Sequence, residues 1–173
     1  MKFRNCRFLG FQDTLYTYGR ESRQYYNHCY IEGTVDFIFG SSTAVFDSCS
    51  IYGKLGGYYT AASAPENNKF GYVFINSTIT GSAPPNAFLL GRPWRPFAKT
   101  VFINCNLDKQ LAAQGWNNWS NPANEKTAYY AEYKNYGPGA ANGKRVSWTH
   151  QLTDEEAKSY TLANIFNDWK PLK

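Results

Sequence analysis

The sequence of 173 residues predicts an all-β protein, a parallel β-helix or solenoid, on two observations. The first is a repeat in which an aromatic residue, any residue, a polar residue, Cys or Ser, any residue and an apolar residue follow one another. The second is that no helical period separates the repeats, only stretches rich in Gly, Pro, Ser and Asn. The repeats are Phe3–Phe8, Tyr26–Ile31, Phe46–Ile51, Phe74–Ile79 and Phe102–Leu107.

Each repeat is rich in β-forming residues and alternates small or apolar side chains with polar ones, which indicates a short strand. The uneven spacing of the repeats indicates loops of different length on one side of the solenoid. Stacked strands lie about 4.8 Å apart, so the Cys or Ser position should form an inward ladder. We expect its thiols to be small, buried and reduced. The ladder consists of Cys6, Cys29, Cys49, Ser77 and Cys105.

The repeat stops after Leu107, and residues 108–150 predict long covering loops with one irregular strand pair. Thr153 and Glu156 form a capping box that predicts a helix from about Asp154 to Phe166, plugging or flanking the open end of the solenoid. We expect one domain over 1–173, with coils at about 1–107 and loops and capping helix at about 108–173. Because the first repeat begins near residue 1 without a polar cap, we expect either that another chain or domain belongs there or, as we favour, that the chain is an N-terminally truncated fragment.

Composition narrows the classes of function. Aromatic residues make up 18% of the chain, which argues against disorder. No run of 18 apolar residues indicates a membrane helix, and the N-terminus does not resemble a signal peptide. The four cysteines show no CxxC spacing that would indicate a metal site. The net charge of +5 indicates an acidic partner. The charge alone does not distinguish among nucleic acid, a polyanionic sugar and a membrane.

Two aspartates occupy equivalent positions in the repeat. Asp13 lies seven residues after Cys6, and Asp36 lies seven residues after Cys29. If the coils are in register, the carboxyl groups lie close together and do not ionise independently, an arrangement suited to an acid beside a nucleophile or base. Gly56 would be their counterpart on the next coil and would leave open space. The alternative for Asp13 alone is an Asx-turn.

Asp36 places a charged side chain in an otherwise apolar strand, and its presence there needs an explanation. If Val35, Phe37 and Phe39 face one way, Asp36 faces the outer surface of the solenoid, where a carboxylate among bulky apolar residues is a functional candidate. A nearby cation should keep one carboxylate ionised. Arg92, in a loop with two prolines, is the candidate, and its alternative is a surface arginine stacked on an aromatic ring.

Three blocks resemble the signature blocks of pectin methylesterases and occur in that family's order: Gly10–Tyr16 (GFQDTLY), Gly33–Gly40 (GTVDFIFG) and Leu90–Trp94 (LGRPW). Two segments of the tail, Gly115–Gly139 and Ser147–Leu152, are similar to the bacterial branch. The resemblance implies a right-handed parallel β-helix that hydrolyses the methyl esters of homogalacturonan (pectin) and releases methanol. It also implies a further glutamine in a block upstream of Gly10, which this chain lacks.

By matching positions, the resemblance implies a role for each site residue. Asp36 resembles the nucleophile, and Asp13 the general acid that then acts as base. Arg92 resembles the residue that holds Asp36 ionised, and Gln12 an oxyanion donor. Apolar faces for the sugar are expected from Phe39, Trp94 and Trp116. No metal or organic cofactor is expected.

The resemblance further implies a parent protein that is secreted, periplasmic or at the cell surface and acts as a monomer on pectin, not on nucleic acid or membranes. Three alternatives stay open. The first is a catalytically incomplete, pectin-binding β-helix fragment. The second is a pectate lyase, which would need clustered carboxylates for Ca²⁺. The third and least favoured is a nucleic-acid-binding protein, because the positive residues form no stripe.

Overall fold

The computed structural model describes residues 1–140 and 143–172, in which 16 strands and three short helices occur. Every strand pairing is parallel, and each sheet takes one strand from each successive coil. The predicted all-β parallel β-helix is therefore confirmed. Ala141, Asn142 and Lys173, which belong to the predicted loops and tail, lie outside the described residues.

Three sheets form the faces of the solenoid within the described residues. The seven-stranded sheet has the order β1 (Lys2–Arg4), β4 (Arg23–Asn27), β7 (Thr43–Asp47), β10 (Tyr72–Ile75), β13 (Lys99–Ile103), β15 (Tyr129–Tyr133) and β16 (His150–Gln151). The five-stranded sheet has the order β14 (Asn106–Leu107), β11 (Thr78–Gly81), β8 (Ser50–Gly53), β5 (Tyr30–Gly33) and β2 (Arg7–Phe8). The four-stranded sheet has the order β12 (Phe88–Gly91), β9 (Gly57–Ala62), β6 (Ile38–Gly40) and β3 (Leu15–Thr17).

Each sequence repeat forms a corner between two sheets. The prediction of one short strand per repeat was therefore wrong. The polar residue before the Cys or Ser position adopts a left-handed backbone, which ends the strand of the seven-stranded sheet and starts the strand of the five-stranded sheet. Asn is one of the few residues that visit this conformation readily. The corner residues are Asn5, His28, Ser48, Asn76 and Asn104, with φ between 51° and 56°.

A column of stacked aromatic rings runs through the core beside these corners. Phe3, Tyr26, Phe46, Phe74 and Phe102 stack in order, with centroid distances of 4.9, 4.8, 4.5 and 4.3 Å. In-register parallel pairing places each ring directly over the next, which explains why the repeat requires an aromatic residue at this position.

We expect Phe74→Ala to lower the free energy of unfolding by about 3–5 kcal/mol, because it leaves a cavity and removes two ring stacks. Phe74 is fully buried between Phe46 and Phe102. Urea denaturation of this variant beside Tyr136→Ala, whose side chain is largely exposed, measures the effect. A loss equal to that of Tyr136→Ala would show that the column does not stabilise the fold.

The predicted inward ladder is confirmed for Cys29, Cys49, Ser77 and Cys105, which are all buried. The four cysteines of the chain are free thiols, and burial raises the pKa of Cys49 and Cys105 to about 12. The Ser77 hydroxyl occupies the same place and accepts a hydrogen bond from the Cys49 N–H (3.0 Å). Cys6, on the terminal coil, is only half-buried.

The prediction that the repeat stops after Leu107 was wrong, because β15 continues the seven-stranded sheet and Lys134 has the same left-handed corner (φ 48°). The repeat pattern does not reveal this coil, because Glu132, the residue in register with Phe102, stands where the other coils have an aromatic residue. Glu132 is buried and forms an ion pair with Arg145 (2.7 Å), which also bonds the carbonyl oxygens of Ala113 and Gly139. This ion pair closes the end of the aromatic column and fixes the loops around it.

The C-terminal helix is two short helices, α2 (Asp154–Ala157) and α3 (Leu162–Phe166), and a third, α1 (Asn124–Thr127), lies in the preceding loops. The predicted capping box of Thr153 and Glu156 is present. The predicted continuous helix breaks because Thr161 caps α3 with its own hydroxyl. None of the helices in the described ranges is suited by length and hydropathy to cross a membrane.

The predicted place of the C-terminal helix, plugging or flanking the open end of the solenoid, was wrong for α3, which covers the outer face of the seven-stranded sheet. Ile165 and Phe166 belong to an apolar cluster that includes Tyr25 and Val45, which point outward from that sheet. Arg23 fixes the segment further, because its guanidinium donates to the Phe166 carbonyl oxygen (2.6 Å). The outward-facing apolar residues of the sheet therefore find their cover in the chain's own tail.

Candidate active site

The four-stranded sheet sets Asp13 and Asp36 side by side on the outer face. Leu15 pairs with Ile38, so the two aspartates, each two residues earlier, occupy the same place on consecutive coils. The Asp13 N–H donates to the Val35 carbonyl oxygen (3.2 Å). Both aspartates have a left-handed φ of 54°, a conformation that Asp adopts more readily than most residues. The predicted register of the two carboxylates is confirmed.

The predicted alternation around Asp36 was wrong. Phe37 is fully buried in the core, whereas Phe39 lines the same pocket as Asp36. The left-handed backbone at Asp36 interrupts the alternation, and the strand begins only at Ile38. Asp36 is largely buried, with 9% of its side chain exposed, and it lines an open pocket.

Gly56 is not the counterpart of the two aspartates on the next coil. Ile38 pairs with Thr60, which places Tyr58 beside Asp36. The chain between Gly53 and Thr60 is two residues longer than the chain between their partners Gly33 and Ile38, and this insertion shifts the count. The space expected at a glycine is occupied by an aromatic ring.

Arg92 binds Asp36 in a bidentate ion pair. Its Nε donates to Oδ1 (2.9 Å) and its Nη2 to Oδ2 (2.7 Å). The guanidinium lies between the rings of Tyr58 (4.0 Å) and Trp119 (3.7 Å). Burial disfavours the cation, but the bonds to Asp36 outweigh this and raise the pKa of Arg92. The two donors of Arg92 hold both Asp36 carboxylate oxygens in one fixed orientation.

Asp13 differs from Asp36 in its surroundings. Its side chain is exposed, and no residue in the described part of the chain forms a hydrogen bond with its carboxylate. Loss of solvent around the carboxyl raises the pKa of Asp13, the charge of Asp36 raises it further, and Arg92 opposes both. Asp13 therefore holds its proton to higher pH than an ordinary aspartate, which suits a general acid, while Arg92 fixes the carboxylate group beside it.

The two carboxylates lie at a pocket of about 250 Å³. Gln12 lines it, and its side-chain amide makes no hydrogen bond within the described residues, so the amide N–H is free to donate into the pocket. The complete lining consists of Gln12, Asp13, Asp36, Phe39, Ala61, Arg92, Trp94 and Trp119. Six of the seven residues predicted from the sequence are therefore brought together.

Trp116 is the exception, because its predicted place in the pocket was wrong. It is 1% exposed and stacks on Tyr130 in the core (4.3 Å), so it does not line the pocket. Trp119, three residues later, takes that place. The left-handed backbone of Trp119 and the bond from its N–H to the Asn117 side chain (2.7 Å) turn its ring toward Arg92. The pair of tryptophans was visible in the sequence, but the turn between them was not.

The two tryptophans predict opposite phenotypes. We expect Trp119→Ala to lower the turnover number of the reaction proposed below about tenfold or more, because it uncovers the Arg92–Asp36 ion pair. The urea midpoint of unfolding should change little. We expect Trp116→Ala to cost about 3–5 kcal/mol of unfolding free energy. Steady-state kinetics and urea denaturation of both variants measure the effects. The reverse pattern would contradict the placement of the two rings.

With this geometry in place, comparison with known proteins gives the family. The pectinesterase family model matches residues 1–168. The chain belongs to the pectinesterase family. It is 46% identical over 156 residues to pectinesterase 31 of Arabidopsis thaliana, a match that covers 90% of this chain and 49% of the relative.

Solved pectinesterases share the fold. The pectin methylesterase from Yersinia enterocolitica is 35% identical with a TM-score of 0.83, over 97% of this chain and 60% of that one. A pectin methylesterase solved in complex with a hexasaccharide is 32% identical with a TM-score of 0.83, over 98% and 58%. Both plant and bacterial proteins are similar to this chain, so the bacterial branch stays a prediction. The chain spans about half the length of the curated relative and about three fifths of the solved ones.

Proposed function

We propose that this chain hydrolyses the methyl esters of homogalacturonan, with Asp36 as nucleophile and Asp13 as acid and base. The observation that carries the proposal is the bidentate Arg92–Asp36 ion pair beside a second carboxyl, Asp13, with a raised pKa. The two carboxyl groups thus differ in their surroundings: Arg92 binds Asp36, and the raised pKa of Asp13 favours its protonated form.

In the first step, an Asp36 carboxylate oxygen attacks the ester carbonyl carbon at C6 of a galacturonate. The carbonyl electrons move to oxygen, and the Gln12 amide N–H donates a hydrogen bond to this oxyanion. As the C–O bond to the methoxy group breaks, Asp13 gives its proton to the leaving oxygen and methanol departs. The product is a covalent acyl-enzyme, a mixed anhydride between Asp36 and the sugar carboxyl group.

In the second step, Asp13 is ionised and serves as the base. It takes a proton from water while the water oxygen attacks the acyl carbon, and the anhydride bond breaks toward Asp36. The galacturonate leaves as a free acid, Asp36 returns as a carboxylate bound to Arg92, and Asp13 is again protonated. Arg92 stays charged throughout and orients Asp36 with its two donors.

A polymeric sugar suits the surroundings of the aspartates. Phe39 and Trp94 present apolar ring faces in the pocket, and Tyr16 stacks on Phe39 (4.6 Å). A relative of the same fold was solved with a hexasaccharide. The net charge of +5 favours a polymer that gains carboxylates as it reacts. Action as a monomer and export of the parent protein to the cell surface, the periplasm or the medium belong to the proposal as predictions.

The test is methanol release from highly methylated pectin, in the presence and absence of EDTA, with the unsaturated sugars of a lyase measured in parallel. We expect methanol, no unsaturated product and no effect of EDTA. Unsaturated product that requires Ca²⁺ would favour the pectate lyase. Binding of pectin by a folded chain without methanol release would favour a catalytically incomplete fragment.

A further inference from the structure

The turn that carries Gln12 determines where its side chain lies. This turn, residues 10–14, links β2 to β3 on the first coil of the described chain. Gln12 is exposed, and its side-chain amide makes no hydrogen bond within the described residues. Because the side chain has no such anchor of its own, whatever holds the turn also sets the place of the amide in the pocket.

The turn packs on one neighbouring coil, because β2 and β3 are the end strands of their sheets within the described residues. From that coil, the Thr34 N–H donates to the Phe11 carbonyl oxygen (2.8 Å), and the Asp13 N–H donates to the Val35 carbonyl oxygen (3.2 Å). Neither bond restrains Gly10 or the ring of Phe11, which is 60% exposed. The start of the turn therefore depends on a further contact.

Lys54 supplies this contact from the third coil. Its backbone N–H donates to the Gly33 carbonyl oxygen of the second coil (2.9 Å). Its ammonium group reaches across that coil, donates to the Gly10 carbonyl oxygen (3.2 Å) and lies 3.6 Å from the centroid of the Phe11 ring. A charged donor and a cation above a ring are both stronger contacts than their neutral counterparts. One side chain thus holds the two residues that precede Gln12.

Glu32, on the second coil, holds the Lys54 ammonium in place. Its Oε1 accepts a hydrogen bond from Lys54 Nζ (3.0 Å), and its Oε2 accepts one from the Tyr30 hydroxyl (2.9 Å). The side chains of Lys54 and Glu32 are only 23% and 18% exposed, so solvent screens this ion pair less than it screens a fully exposed pair. The pair restricts the ammonium to its position beside Gly10.

We infer that Lys54, held by Glu32, is a positioning residue that aims the Gln12 amide at the oxyanion, an inference that rests on the proposed esterase function. Lys54 does not line the pocket, so it acts through the turn. The Gln12 amide stabilises charge that develops in the transition state, so its misplacement weakens catalysis more than substrate binding. Loss of Lys54 therefore lowers kcat and leaves KM nearly unchanged.

Steady-state kinetics of methanol release by Lys54→Met and Lys54→Arg test this split. Methionine keeps an unbranched apolar side chain and removes the charge and the donors. We expect kcat to fall about tenfold in Lys54→Met, with KM within about twofold of the original. Lys54→Arg, which restores a cation and donors, should recover most of the loss. The matched control Lys158→Met breaks the exposed ion pair with Glu155 and should change neither constant.

A double-mutant cycle shows whether Lys54 acts through Gln12. Gln12→Ala alone should lower kcat by about 10²-fold, as loss of an oxyanion donor does elsewhere. Lys54→Met added to Gln12→Ala should cost less than about threefold more, because no amide remains to be aimed. A full further tenfold loss in the double variant would make the two effects additive and overturn the inference.

The NMR order parameter of the Gln12 backbone N–H tests the positioning without any turnover. We expect about 0.85 in the original chain and about 0.6 or lower in Lys54→Met, with the Leu15 N–H unchanged. A rigid Gln12 in Lys54→Met overturns the inference, whether or not the chain releases methanol. A loosened Gln12 in a protein whose original chain releases no methanol supports the positioning by Lys54 and contradicts the esterase.

Discussion

Asp36→Asn should reduce the rate of methanol release by at least about 10⁴-fold, as removal of a catalytic nucleophile does elsewhere. An amide cannot attack the ester carbon, and no second carboxylate shares the Arg92 guanidinium in the described residues. Asn is the conservative choice because it tolerates the left-handed backbone at this position. Initial rates of methanol release from methylated pectin measure the effect.

The matched control is Asp108→Asn, the same chemical change in a half-buried carboxylate outside the pocket. It should keep the rate within a few fold, and circular dichroism should show that both variants fold. If Asp36→Asn retained a tenth or more of the activity while folded, the assignment of the nucleophile would be wrong.

Asp13→Asn should lower the turnover number by about 10²–10⁴-fold, the usual contribution of a general acid and base. The effect should also depend on pH. Only protonated Asp13 can donate to the leaving methoxy oxygen, so kcat/KM of the unmodified protein should fall as pH rises through the Asp13 pKa. Because that pKa is raised, the fall should begin above the range of an ordinary aspartate.

The residual activity of Asp13→Asn should lack this fall, since an amide does not titrate. The pH profile of kcat/KM, measured for the original chain, Asp13→Asn and Asp108→Asn, decides the point. An identical alkaline fall in Asp13→Asn and the original chain would assign the titration to another group and remove Asp13 from the acid role.

The repeat made the fold predictable because in-register stacking imposes the same residue type on every coil. The aromatic column and the Cys/Ser ladder are both direct consequences of that stacking. The final coil escaped prediction because Glu132 and Arg145 replace an aromatic ring with a buried ion pair. Buried charges that satisfy one another from positions 13 residues apart leave no local pattern in the sequence.

Part of the site was also predictable from the in-register stacking of the coils. Asp13 and Asp36 lie on coils of equal length between their strands, so counting residues located both. Counting failed one coil later, where two extra residues put Tyr58 in place of Gly56. Trp119 was missed for Trp116 because loop backbone geometry, not strand periodicity, decides which ring faces Arg92.

Trapping the acyl-enzyme tests the central claim, a covalent bond between Asp36 and the sugar, most directly. Hydroxylamine added to the reaction competes with water for the acyl carbon and converts the galacturonyl group to a hydroxamate. We predict hydroxamate above the uncatalysed level with no fall in methanol release, and for Asp36→Asn both products at the uncatalysed level. Methanol release that continues while hydroxamate stays at the uncatalysed level would contradict the covalent mechanism.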